Sequence, residues 1–193
     1  MRSLNALLLL TLALDGCHTS VAKDPIQSTP PLQDQTGAPN TLQVSSPDFE
    51  ADGPLDVRYA FNQFGCVGEN VAPRVEWSSV PEGTQSLAVI VHDPDAPTGV
   101  GFFHRVVVNL PPSTRHLGGD LPAGAQDLHT DYGAPGYGGP CPPPGAPHRY
   151  VFSVYALDLP RLEVPAGATG ALIRFSLLGH TLALGRLVGT YAR

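Results

Sequence analysis

Beyond the first seventeen residues, apolar runs in this chain are short, and proline or glycine interrupts the sequence soon after each one. Leu87 to Val91, Val106 to Val108 and Tyr150 to Phe152 are the strongest of these runs. None is long enough, or spaced at helical period, to make a core helix. The 21 Gly and 21 Pro are high for a helical protein and fit many short strands joined by turns. No strand–helix–strand alternation runs through the sequence, so a doubly wound parallel sheet is disfavoured. The expected fold is mostly β, an antiparallel β-sandwich with short C-terminal helices.

The order of elements follows from the same pattern. Leu42 to Phe49 and Leu55 to Phe61 alternate partially between apolar and polar residues, the pattern of half-exposed strands, with Asp52-Gly53-Pro54 as the turn between them. Val75 to Trp77 is a short strand. Ser86 to His92, with five consecutive apolar residues, reads as a strand buried on both faces, and His104 to Leu110 and Arg149 to Leu157 read likewise. Gly170 to Leu178 is the convincing helix: Leu172, Phe175 and Leu178 are three apart, Ile173 and Leu177 lie beside them, and Gly179 supplies the stop. A second helical turn over Thr181 to Leu184 and a last strand near Val188 to Tyr191 complete the domain, which is expected to occupy residues 42–193.

Residues 1–17 read as an export signal of lipoprotein type: Arg2 is the charged start, Leu4 to Leu14 the apolar stretch, and Gly16-Cys17 the processing point, with Cys17 the lipidated residue. That stretch is too short to span a bilayer as a permanent helix. Residues 18–41, dominated by Pro, Gln, Ser, Thr and Asp, cannot bury enough apolar surface to offset the entropy of ordering and read as a disordered linker. The expected location is the cell envelope, anchored or periplasmic/secreted, with membrane contact only through the N-terminal lipid. A formal net charge of -6 without a Lys/Arg cluster offers no surface for phosphodiester backbones, which excludes nucleic acid as the expected partner.

With Cys17 assigned to processing, Cys66 and Cys141 remain, both in Gly-rich loops, FGCVGEN and GGPCPPPG. In an oxidising compartment a bridge is the economical reading, worth about 2–4 kcal/mol. A Cys141 thiolate paired with His148 is the functional alternative.

Two stretches concentrate the chemistry: DPDAPTGVGFFHRVVVN, residues 93–109, and GYGGPCPPPGAPHRY, residues 136–150. Each brings a histidine, His104 or His148, to the start of an apolar run, while Asp93 and Asp95 end a third. Where three strands end, two imidazoles and a carboxylate can share a pocket with the Tyr150 hydroxyl. A carboxylate neighbour favours the imidazolium, so His104 or His148 beside Asp93 is expected to carry charge near neutral pH and donate from both nitrogens. With backbone amides of the Gly-rich loop 136–139, such a pocket suits a small phosphorylated or carboxylate ligand. Asp95, Pro97, Gly138, Gly139 and Pro140 are the supporting loop residues, and Arg105 and Arg149 are expected on the opposite strand face as surface or salt-bridging residues. Two His and one Asp is also the ligand set of a facial-triad metal site, but no metal or other cofactor is assigned. The absence of G-x-S-x-G and H-E-x-x-H motifs disfavours hydrolysis, metal-assisted or otherwise.

DPDAP-x-G, a His before a VVVN strand, GYGGPCPPPG-x-x-HRY and the closing GHTLALGRLVGTYAR together closely resemble the phosphatidylethanolamine-binding protein family, in its bacterial and archaeal Raf-kinase-inhibitor-like branch. The resemblance covers about residues 42–193. It implies a sandwich of two antiparallel sheets with C-terminal helices, and a ligand pocket formed by Asp93, His104, His148 and Tyr150. Cys66 and Cys141 fall where many prokaryotic members carry a cysteine pair, which favours the bridge. Where eukaryotic members offer a tyrosine between Pro97 and His104, this chain has Phe102 and Phe103. The functional expectation is a non-enzymatic binding protein for a small anion, with no catalytic residue. The alternative is an inhibitor that contacts a serine protease, a kinase or another protein target, with loop 133–147 as the surface offered to a protease.

Overall fold

A computed structural model describes residues 42–193. The signal, the lipidation site at Cys17 and the linker expected over 1–41 lie outside the described residues. Eight strands form two antiparallel sheets: β1 (Gln43–Ser45), β2 (Val75–Ser78), β3 (Ser86–Asp93), β4 (Phe102–Leu110), β5 (His116–Leu117), β6 (Gln126–Asp127), β7 (His148–Leu157) and β8 (Thr181–Tyr191). The small sheet has the order β1-β2-β5 and the large one β6-β4-β3-β7-β8.

Between the sheets lies the main core, where Val75, Trp77 and Leu117 of the small sheet meet Leu87, Val89, Phe152 and Val154 of the large one. The other face of the large sheet is buried too. Ala88, Ile90, Val106, Val108 and Tyr155 pack there beneath Leu162, Ala168 and the helix α1 (Gly170–Ser176). Burial on both faces is why β3, β4 and β7 read as continuous apolar runs instead of alternating ones.

Two sequence expectations change. The strand expected over Leu55 to Phe61 is a single 3₁₀ turn, Val57–Tyr59. Asp56 caps it, its carboxylate accepting from the Arg58 amide at 2.9 Å. Only Leu55 keeps an extended pairing, its amide donating to Thr190 O at 2.7 Å. The helical turn expected over Thr181 to Leu184 is instead the first part of β8, in which Ala183 pairs with Ala156 and Leu184 with Tyr155. Pairing with a ten-residue neighbour satisfies the backbone groups of this segment that face β7, and does so along the whole strand, which a single isolated turn cannot do.

The helix itself is present, capped by Thr169, whose hydroxyl accepts from the Leu172 amide at 3.2 Å. It ends before Gly179, which takes φ +80°. Ile173 and Leu177 face the core, whereas Leu172, Phe175 and Leu178 lie on the exposed side.

Candidate functional site

β4, β3 and β7 are neighbours, so the C-terminal end of β3 and the N-terminal ends of β4 and β7 meet at one edge of the sandwich. Asp93, His104 and His148 stand at that edge around a cavity of about 320 Å³, together with Tyr150. His104 reaches it through a β-bulge. Val91 pairs with Arg105 and His92 with Phe103, which leaves His104 as the extra residue opposite no residue of β3. Phe103 accordingly packs into the outer core and His104 into the cavity.

Asp93 is 3% exposed and fully engaged. One carboxylate oxygen accepts from the amides of Asp95 and Ala96, at 2.8 and 3.0 Å, and the other meets His148 Nδ1 at 2.7 Å. That contact fixes a proton on His148 Nδ1 and leaves Nε2 as the atom available to a ligand. His104 Nδ1 donates to the Gly138 carbonyl at 2.6 Å, because a carbonyl can only accept. Burial pushes the His104 imidazole down to about 4, partly offset by its bond to the Gly138 carbonyl and by the nearby Asp93 charge. Of the two histidines, it is His148 that lies against Asp93, while His104 is neutral near neutral pH and its Nε2 offers a lone pair.

Tyr150 is 1% exposed and lines the cavity; its hydroxyl makes no well-formed hydrogen bond, and the acceptor acting on it is the nearby Asp93 carboxylate. Burial, reinforced by the Asp93 charge, raises its pKa far above the ordinary phenol value, so the group stays protonated.

The Gly-rich loop plays a different part from the one expected. The Gly138 amide donates to His104 O at 2.9 Å and the Gly139 amide to Asn70 Oδ1 at 2.7 Å, so neither is free for an anion. These glycines permit close approach. A Cβ on Gly138 would come within 2.2 Å of the Tyr132 ring, and one on Gly139 within 2.1 Å of Tyr59 O. The carbonyl of Pro140 accepts from the Phe61 amide at 2.9 Å, and Asn70 Nδ2 donates to Tyr137 O at 3.1 Å, completing the seating of this loop.

Asp95 is turned to Arg149, accepting from its backbone amide, Nε and Nη2 at 2.9, 2.9 and 2.7 Å. The pair ties the loop after β3 to the start of β7, and the guanidinium holds the Asp95 carboxyl below the usual carboxylate range. Pro97 lines the cavity. Arg105 is a salt-bridging residue but not a surface one: it is 3% exposed and forks onto Asp127 with two 3.0 Å bonds. Cys66 and Cys141 form a disulfide, which removes the thiolate alternative, and Cys141 is part of the cavity wall.

Sequence reasoning did not single out Asn70, Phe64, Asp131 or Tyr132. Phe64, Asp131 and Tyr132 line the cavity, and Tyr132 also donates to Gly139 O at 2.9 Å. A usable signal lay in Tyr132-Gly133 and Glu69-Asn70, polar or aromatic residues beside turn positions. Asn70 and Gly133 both have positive φ. Among the described residues no group of three or more His, Cys, Asp or Glu side chains is placed to hold a metal ion.

An antiparallel sandwich whose strand ends converge on an Asp- and His-lined cavity defines a β-sandwich fold of the binding-protein class. The chain belongs to the phosphatidylethanolamine-binding protein family, whose model matches residues 45–192. It is 42% identical to YbhB of Escherichia coli over 158 residues, covering 78% of this chain and all of that protein. The crystal structure of Escherichia coli YbcL, described as a new member of the mammalian family, superposes with a TM-score of 0.76 at 40% identity, covering 79% of this chain and 99% of that one. LppC of Mycobacterium tuberculosis, which bears a lipoprotein name, is 36% identical across 95% of this chain and 92% of its own length.

Proposed function

We propose that this chain is an exported, non-enzymatic binding protein whose cavity takes a small oxyanion, phosphoryl or carboxylate, that arrives with a proton. The observation that carries this reading is the Tyr150 hydroxyl, buried in the cavity with no well-formed hydrogen bond, beside an Asp93 carboxylate that is already engaged. A group in that state is costly unless a ligand completes it. His148, held by Asp93, donates from Nε2 when protonated, and Tyr150 donates beside it. His104 Nε2 accepts. Two donors and one acceptor fit a hydrogen-phosphate group, whose charged oxygens accept and whose P–OH donates.

No Lys or Arg lines the cavity, whereas Asp93 and Asp131 do. Binding a fully deprotonated anion next to those carboxylates is unfavourable, and a proton carried by the ligand removes the conflict. Export is supported by the N-terminal Arg2, Leu4 to Leu14 and Cys17 pattern, by the Cys66–Cys141 bridge and by the similarity to LppC along almost the whole chain.

Inorganic phosphate tests the pocket. At a concentration tenfold above Kd it should raise the Tm by about 3–5 °C, and affinity should be higher at pH 6 than at pH 8. His148→Ala should abolish the response. A His148→Ala protein that melts with phosphate as the wild type does would refute the pocket.

A further inference from the structure

Phe64 stands out from every other aromatic residue among those described. It has φ +54°, a region a bulky side chain rarely occupies, and the residue is 74% exposed at the lip of the cavity. A strained backbone that exposes its own apolar side chain gains nothing for folding, and such residues collect where a ligand is handled. The lip is also firmly fastened. The Cys66 amide donates to Gln63 O at 3.0 Å, Cys66 is bridged to Cys141, and Arg193 Nη1 donates to Phe64 O at 3.4 Å.

The rings around it share one orientation. Phe61 and Tyr132 stack at 4.0 Å with 17° between their planes. Phe64 continues that orientation, 19° from Phe61 and 13° from Tyr132, with centroids 5.9 and 6.1 Å away. Phe102 closes the corner edge-on to Tyr132 at 4.8 Å. The outer part of the cavity is therefore an aromatic surface with an exposed ring, and its inner part holds the unpartnered Tyr150 hydroxyl and the two histidines.

We infer that the ligand carries a planar aromatic ring beyond its anionic group, and that the ring lies against Phe64 and Tyr132 while the anion meets Tyr150 and His148. This rests on the anion-binding reading and names the class of ligand: an oxyanion ester of an aromatic ring, an aryl phosphate in the simplest case. Offset stacking and edge contacts with two rings favour an aromatic guest over an aliphatic one of equal size by about three- to tenfold.

Titration calorimetry with inorganic phosphate, phenyl phosphate and cyclohexyl phosphate tests it on the full chain with its disulfide intact. The wild type should bind phenyl phosphate about five- to tenfold more tightly than phosphate and at least threefold more tightly than cyclohexyl phosphate. In Phe64→Ala, and in Phe64→Leu, which keeps apolar area but no ring, the phenyl-to-cyclohexyl ratio should fall by about half or more, Tyr132 sustaining what remains. Equal affinity for the phenyl and cyclohexyl esters in the wild type, or a phenyl preference undiminished in Phe64→Ala, overturns the inference while leaving the anion pocket standing. Failure of the wild type to bind inorganic phosphate at all sinks the pocket and the ring site together.

Discussion

Tyr150 shows how a single residue can be read for function from what it lacks. Its hydroxyl is buried beside a charged Asp93 that is already engaged by His148 and two amides. Removing the hydroxyl removes an unsatisfied polar group without opening a cavity, since the ring remains. Tyr150→Phe is therefore expected to stabilise the ligand-free protein by about 1 kcal/mol and to weaken phosphate binding, readable as opposite changes in urea midpoint and in affinity. A variant that loses stability instead would mean that the hydroxyl has a structural partner. His148 and Asp93 behave differently, because each completes the other, and truncating either leaves a buried partner unpaired.

At the scale of elements, β4 is the strand that sets the site. It carries one bulge at His104 and a second between Leu87–Leu110 and Val89–Val107, where Asn109 takes φ +60°. Asn109 closes that irregularity by accepting from the Leu162 amide at 2.7 Å and donating to its carbonyl at 3.3 Å. The strands β3, β4 and β7, and the histidines at their starts, are legible in sequence because apolar runs flanked by Pro and Gly mark a strand end directly. The bulge is not. His104 sits in an unbroken F-F-H-R-V-V-V run, and only pairing with β3 decides which residue is extra. Asn70 and Tyr132 escape for a related reason: each is defined by a partner distant in sequence, Gly139 for Asn70 and Phe61 for Tyr132. The covalent link between lip loops closes a long stretch of chain, 75 residues in separation. Replacing both Cys66 and Cys141 with Ser should lower unfolding stability by roughly 4 kcal/mol, measured by chemical denaturation. Unchanged stability in the double variant would show that the loops are held by Asn70 and the Pro140 carbonyl alone.

For the whole molecule, buried histidines tie stability to pH. The folded protein holds His104 at about 4 against an ordinary value of 6.5, and burial lowers His92 as well. Between those values the unfolded chain binds the proton and the folded one does not, so stability present above pH ~6.5 declines as pH falls toward ~4. For His104 the loss is of the order of 3 kcal/mol. Asp95, whose carboxyl is lowered by Arg149, adds its own loss only at more acidic pH, below ~4. Denaturation midpoints across pH 4 to 8 should thus climb with pH, and His104→Gln should flatten the climb. A wild-type profile with no slope in that interval would be incompatible with a neutral, buried His104.

The bridge between Cys66 and Cys141 joins the strained loop of Phe64 to the proline-rich segment that forms the facing wall. Protein kept in dithiothreitol during purification is, in this respect, a different receptor, with two unhitched margins and a wider entrance. Its selectivity among guests should blur before its fold is lost, so the redox history of a sample belongs beside any affinity quoted for it.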